Sequence, residues 1–121
     1  MEIVLIRHGQ PEWVRDERNI ENPPLTELGH VQAQRMAEAL AGEEFDEVFA
    51  SPLVRARQTA APLFDALGRK EQVADWLEEI RDPAWHGTPV EKAQQAYDEL
   101  RSRNAEERWE GLDEGESIRD F

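Results

Sequence analysis

Glu2-Ile3-Val4-Leu5-Ile6-Arg7-His8-Gly9 decides the reading of this chain: an unbroken apolar run passes directly into an arginine, a histidine and a glycine. A continuous stretch of β-branched residues and leucine fits a strand of a sheet covered on both faces. In open α/β sheets, ligands bind at the edge where such strands end. A histidine placed there between an arginine and a glycine is suited to act as a nucleophile towards phosphate. The plainer reading makes Arg7 a surface charge and His8 an ordinary loop histidine, so the rest of the chain must decide.

Outward from this stretch, helix and strand signals alternate. A long loop after Gly9 closes at Pro23-Pro24. Thr26 then offers an N-cap, and Ala33, Met36, Ala37 and Leu40 recur at helical spacing until Gly42 stops the helix. Glu47-Val48-Phe49-Ala50 reads as a second short strand leading into Ser51-Pro52, a cap and first-turn pair. Leu53, Ala56, Ala60, Leu63, Phe64 and Leu67 form the apolar stripe of the next helix, ended by Gly68. A weaker strand is expected around Gln72 to Trp76. Thr88-Pro89-Val90-Glu91 combines a capping box with a proline at the first helical position, and Val90, Ala93, Tyr97 and Leu100 mark the helix behind it. After Arg103 the chain turns acidic, and a last helix is expected to start at Ser117. The order predicts an α/β layer fold with parallel neighbouring strands.

Composition narrows the function. The 121 residues suit one domain with a modest core. Against 27 acidic residues stand 14 Lys and Arg, a net charge of -13 that disfavours nucleic acid or an anionic membrane as partner. There is no cysteine, which suits a reducing cytoplasm. Met1-Glu2 leads into the apolar run without the basic start of a signal peptide, and the run is too short to span a membrane.

Two constellations carry the chemistry. A neutral imidazole at His8 can attack phosphorus and form a phosphohistidine, splitting one hard transfer into two easier ones. Arg7 offers a planar fork for phosphoryl oxygens. The second constellation is Ser51-Pro52-Leu53-Val54-Arg55-Ala56-Arg57-Gln58-Thr59-Ala60, opening a helix whose N-terminal end favours anions. Arg55 and Arg57 lie on different helix faces, so at most one turns inward. The alternative is a solvated basic patch.

Arg7-His8-Gly9, Pro24-Leu25-Thr26-Glu27-Leu28-Gly29 and the segment from Ser51 to Ala60, taken in order, resemble the histidine phosphatase superfamily, also called the phosphoglycerate mutase-like family. Gly115-Glu116-Ser117 resembles a further element of that family. The resemblance implies a three-layer α/β/α fold with a mostly parallel sheet and His8 as the phosphorylated nucleophile. Arg7 and Arg55 would clamp the phosphate, with Gly9 and Gln10 beside them. Leu77-Glu78-Glu79 matches the acid-bearing segment and makes Glu79 the proton donor, with Glu78 as its rival. No cofactor and no metal is implied. The family's second catalytic histidine has no counterpart here, so the chain is expected to be one histidine phosphatase domain over residues 1–121 that lacks its last helix and strand. An uncovered sheet edge would be paired either in a homodimer or by that absent segment.

Other residues are less pointed. His30 is expected to be exposed at a helix start. His86, where many relatives carry a glutamate, is read as a substrate-side residue of the pocket rim, with plain surface as the alternative. Trp13 matches a family Trp-Asn pair, but Val14 replaces the asparagine that helps hold phosphate, which with Pro11 favours a general phosphatase over a mutase. Trp85 and Trp109 suit either a substrate rim or packing. The acidic run from Glu106 to Glu116 reads as a solvated face. The leading expectation is a cytoplasmic, metal-independent phosphatase acting on a small phosphorylated metabolite. Mutase chemistry is the runner-up, and a non-catalytic phosphate-binding module is the alternative of a different kind.

Overall fold

Helix α1 (Glu27–Leu40) begins where the sequence places it, with the Thr26 hydroxyl accepting the Gly29 N–H at 3.0 Å as its N-cap. The computed structural model describes residues 1–112 and 115–116. The chain divides into two units, Met1–Glu12 with Asn22–Glu78, and Trp13–Glu21 with Glu79–Phe121.

In the first unit α1 packs on α2 (Val54–Ala66). Ala33 and Ala37, one turn apart on α1, are each 1% exposed, and their small side chains let the helices approach closely. Leu63 and Phe64 of α2 are buried with Leu25, Ala50 and Ala74, and each large side chain contributes about 1.5–3 kcal/mol by leaving water. Gly68, at φ +65°, ends α2: its N–H donates to the Asp65 carbonyl at 3.1 Å and the Arg69 N–H to the Phe64 carbonyl at 2.9 Å, a Schellman closure.

The start of α2 differs from expectation. Ser51-Pro52 stays outside the helix, and the N-cap is Leu53 in an extended conformation without a side-chain cap. The Val54 N–H is instead accepted by Asn22 Oδ1 at 3.0 Å, from 32 residues upstream. A tertiary partner satisfies the orphan donor that Ser51 was expected to satisfy locally.

The strand expectations are corrected more strongly. Ile3, Val4, Leu5 and Ile6 are exposed, Leu5 by 87%, and among the described residues this run forms no strand. A strand needs hydrogen-bonding neighbours as well as apolar side chains. The nearest candidates close on each other instead: Ala50 N–H donates to Gln72 O and Ala74 N–H to Ala50 O, both at 2.9 Å. That leaves a single parallel bridge, Ala50 to Val73, in place of the two expected strands. Past it the chain tightens into a 3-10 turn at Asp75–Leu77, and Trp76 meets Phe49 edge to face at 5.9 Å.

In the second unit β1 (Val14–Arg15) and β2 (Arg18–Asn19) form an antiparallel hairpin inside what the sequence reading took for a loop. Asp16 and Glu17 between them both have positive φ, the pattern of a two-residue type I′ turn. The hairpin is latched to the segment before α3 (Val90–Ser102): Asn19 N–H donates to Thr88 O, and Gly87 N–H to Asn19 O, each at 2.8 Å. The Asn19 amide adds bonds to Thr88 Oγ1 at 3.1 Å and Pro89 O at 2.9 Å. This latch displaces the expected capping box. The Thr88 hydroxyl donates to the Trp85 carbonyl, so α3 starts one residue later with Pro89 as its N-cap. A short helix α4 (Ala105–Arg108) carries a capping box of its own, Asn104 with Glu107, inside the run read as a solvated face. Ser117, the expected start of a last helix, lies outside the described residues. No helix among the described residues is long and apolar enough to cross a membrane.

Candidate functional site

The segment that carries His8 is held by backbone contacts in the first unit. Gly9 is buried, and a Cβ added to it would lie 2.5 Å from the Gly29 carbonyl oxygen. A Cβ on Gly29 would in turn lie 2.3 Å from the Gln10 carbonyl oxygen. The Arg7-His8-Gly9 segment and the first turn of α1 thus touch backbone to backbone, which only paired glycines allow. Further bonds lock the two: Thr26 N–H to Gln10 O at 2.9 Å, the Thr26 hydroxyl to Gln10 Oε1 at 2.9 Å, and Gln10 N–H to Gln32 Oε1 at 2.8 Å.

A second set of bonds joins the segment to α2. The Gly9 N–H donates to Thr59 Oγ1 at 2.9 Å, and the Thr59 hydroxyl donates to the Arg55 carbonyl at 2.7 Å. Leu25 N–H is accepted by Gln58 Oε1 at 2.7 Å. Arg55, on the first turn of α2, is 7% exposed, and Thr59 is 5% exposed. Arg57 takes the other course, exposed and paired through two bonds with Glu71, at 2.6 and 2.9 Å. The pair raises the Arg57 guanidinium and holds the Glu71 carboxyl below its usual value, chiefly through the shared hydrogen bond. One arginine of the two turns inward, and it is Arg55.

His8 is half-buried, and its Nδ1 lies 2.8 Å from the Gly9 carbonyl oxygen. A carbonyl can only accept, so Nδ1 carries a proton, and in the neutral ring Nε2 then keeps the lone pair. Arg7, in the same unit, is exposed.

The remaining expected site residues lie in the second unit. Glu79 is exposed there, whereas its rival Glu78 closes the 3-10 turn in the first unit and is half-buried. His86 is exposed, and its Nδ1 accepts the Glu21 N–H at 3.1 Å, so it braces the hairpin. Trp85 stacks edge to face on Tyr97 at 5.4 Å, and the Tyr97 hydroxyl donates to Asp82 at 2.8 Å. Glu116 accepts the Arg81 N–H at 3.0 Å and donates its own N–H to Arg81 O at 2.8 Å, while Ser117 of the same motif lies outside the described residues. His30 is exposed on α1, as expected. Thr59, Gln58 and Asn22 were missed as contributors, since each acts on a backbone group far away in sequence.

Comparison with known proteins gives a consistent picture. The profile of the histidine phosphatase superfamily (branch 1) matches residues 3–121. Phosphoserine phosphatase 1 of Hydrogenobacter thermophilus is 32% identical over 109 residues, covering 88% of this chain and 52% of the relative. The 2,3-bisphosphoglycerate-dependent phosphoglycerate mutase of Rhizobium meliloti is 41% identical over 91 residues, 68% of this chain and 38% of that enzyme. Among solved structures, a putative alpha-ribazole-5'-P phosphatase from Escherichia coli matches with a TM-score of 0.70 and 26% identity, over 96% of this chain and 59% of the other. The mycobacterial glucosyl-3-phosphoglycerate phosphatase matches with a TM-score of 0.65 and 28% identity, over 93% and 54%. The chain spans about half the length of the first of these curated relatives.

Proposed function

Because the chain belongs to the histidine phosphatase superfamily, we propose that His8 is the nucleophile of a metal-independent phosphatase acting on a small phosphorylated metabolite. The observation that carries this reading is the bond from His8 Nδ1–H to the Gly9 carbonyl, which in the neutral ring leaves the Nε2 lone pair for phosphorus. In the first step Nε2 forms a bond to phosphorus while the ester P–O bond breaks. Arg7 and Arg55 neutralise the phosphoryl oxygens, and positioned charge of this kind is the main requirement of phosphoryl transfer. The departing alkoxide takes a proton from Glu79, whose assignment rests on its motif register. Water then attacks the phosphohistidine with loss of a proton to the same carboxylate, releasing phosphate and neutral imidazole. Gly9 and Gln10 shape the phosphate side of the site. A three-layer fold with a mostly parallel sheet goes with this reading, and the parallel Ala50–Val73 bridge supports it.

Rapid-quench labelling tests the proposal. The wild-type chain should acquire acid-labile, base-stable phosphate and His8→Ala should not. Full labelling of His8→Ala would end the reading. A second reading, transfer of the phosphoryl group to another hydroxyl, is favoured by the likeness to the Rhizobium meliloti mutase. Free phosphate and isomer formed from one substrate, measured side by side, separate the two.

A further inference from the structure

We propose that Thr59 is a positioning residue for His8, holding the imidazole in the tautomer and orientation that aim Nε2 outward. The proposal rests on the reading of His8 as nucleophile. The Thr59 hydroxyl has one proton, and a carbonyl cannot donate, so that proton goes to Arg55 O at 2.7 Å. Its lone pair is then turned to the Gly9 N–H at 2.9 Å. On the far side of the same residue, the Gly9 carbonyl accepts His8 Nδ1–H at 2.8 Å. Three bonds in series therefore run from the first turn of α2 to the imidazole ring. Each of their hydrogen-bonding roles is fixed, because no group in the series can reverse.

Burial gives the series its strength. Thr59 is 5% exposed and Gly9 is buried, so water does not replace the bond if the hydroxyl is removed. Gly9 cannot relax towards α1 either, because the Gly29 carbonyl already fills the place of a Cβ at 2.5 Å. The buried N–H regains a partner only by turning the His8–Gly9 peptide, and turning it changes His8 ψ and Gly9 φ, the torsions that set the Gly9 carbonyl against the His8 ring. Thr59 touches neither phosphate nor ring in this account, and acts wholly through Gly9.

The test uses the 121-residue chain, with p-nitrophenyl phosphate as probe of phosphorylation. In the wild type, the Gly9 amide should be protected from hydrogen exchange and His8 15N shifts should report Nδ1–H. In Thr59→Val, close in shape but without the hydroxyl, Gly9 protection should fall and the Nε2–H tautomer should appear. The rate of phosphoenzyme formation should drop on the order of 10- to 100-fold, as for a small misplacement of reacting groups. Thr59→Ser should restore all three. A Thr59→Val chain with unchanged tautomer and rate overturns the proposal. So does a wild-type Gly9 amide that exchanges as an open loop would, a measurement that decides the matter even if Thr59→Val does not fold. A wild type that forms no phosphoenzyme defeats the proposed function instead, while the tautomer and amide readings still decide the role of Thr59.

Discussion

Where α1 meets α2, the first unit is closed by alkyl and aromatic groups, Ala33, Ala37, Leu63 and Phe64. Between the hairpin and the segment before α3, the second unit is joined by directed polar bonds. Asn19 alone carries four of them to residues 87–89, and α3 and α4 contain no fully buried residue. Apolar packing is non-directional and fails only when its surface is opened to water. A polar latch weakens as soon as an angle changes or water competes. The first unit suits a scaffold that must hold a nucleophile still, and the second suits a segment that opens at lower free energy.

The contrast can be broken at several points. If the nucleophile is held by the first unit, His8→Ala should reduce phosphoenzyme formation by about four orders of magnitude or more, whereas His86→Ala should leave it within an order of magnitude. Equal losses would erase the distinction. Phe64→Ala, removing a ring that is 3% exposed, should cost about 3–5 kcal/mol in a denaturant titration followed by the helical signal. A cost below about 1 kcal/mol would mean that α1 and α2 are not held by their apolar contact.

Asn19→Ala sharpens the other side. Losing two side-chain bonds should cost roughly 1–2 kcal/mol, and hydrogen exchange should locate the loss at residues 85–89 with α1 and α2 amides unchanged. Spread of the loss into α1 would show that the two closures are one. The smallest effect is expected at Tyr97. Burial first, then the hydrogen bond to Asp82, then the negative charges of Asp82 and Glu79 hold its phenol above the ordinary value of 10.0. The folded state thus binds this proton more tightly than the unfolded chain. The linked stabilisation is complete below pH 10.0 and is lost as pH rises through the folded value. Tyr97→Phe should cost about 1 kcal/mol at neutral pH and should remove that alkaline dependence, read as exchange protection of α3 against pH.

Legibility in sequence followed the range of the forces involved. Thr26, three residues before Gly29, announced α1 because a cap acts within one turn. Gly68 announced the end of α2 for the same reason. Arg7-His8-Gly9 and Arg55 were legible as motif residues, and the inward turn of one arginine followed from helical spacing. The Ile3 to Ile6 run shows the opposite case: its composition is that of a strand, but pairing depends on residues that the run does not contain. The hairpin escaped notice because Asp16-Glu17 is not the asparagine-glycine pair that usually marks a type I′ turn. Thr88 looked like a cap and was taken by Asn19, 69 residues earlier. Thr59 bonds to Gly9 across 50 residues, a separation at which no local pattern speaks.

The face-to-face glycines at positions 9 and 29 have an evolutionary consequence. A methyl group on either would strike the other segment's backbone, at 2.5 Å from Gly29 O or 2.3 Å from Gln10 O. Both additions consume the same gap, so a change at one position cannot be rescued by a change at the other. Paired drift, the common route by which contacting residues exchange identities, is closed here. The opening of α1 therefore inherits the constraint of the segment that bears the histidine, although Gly29 performs no chemistry of its own.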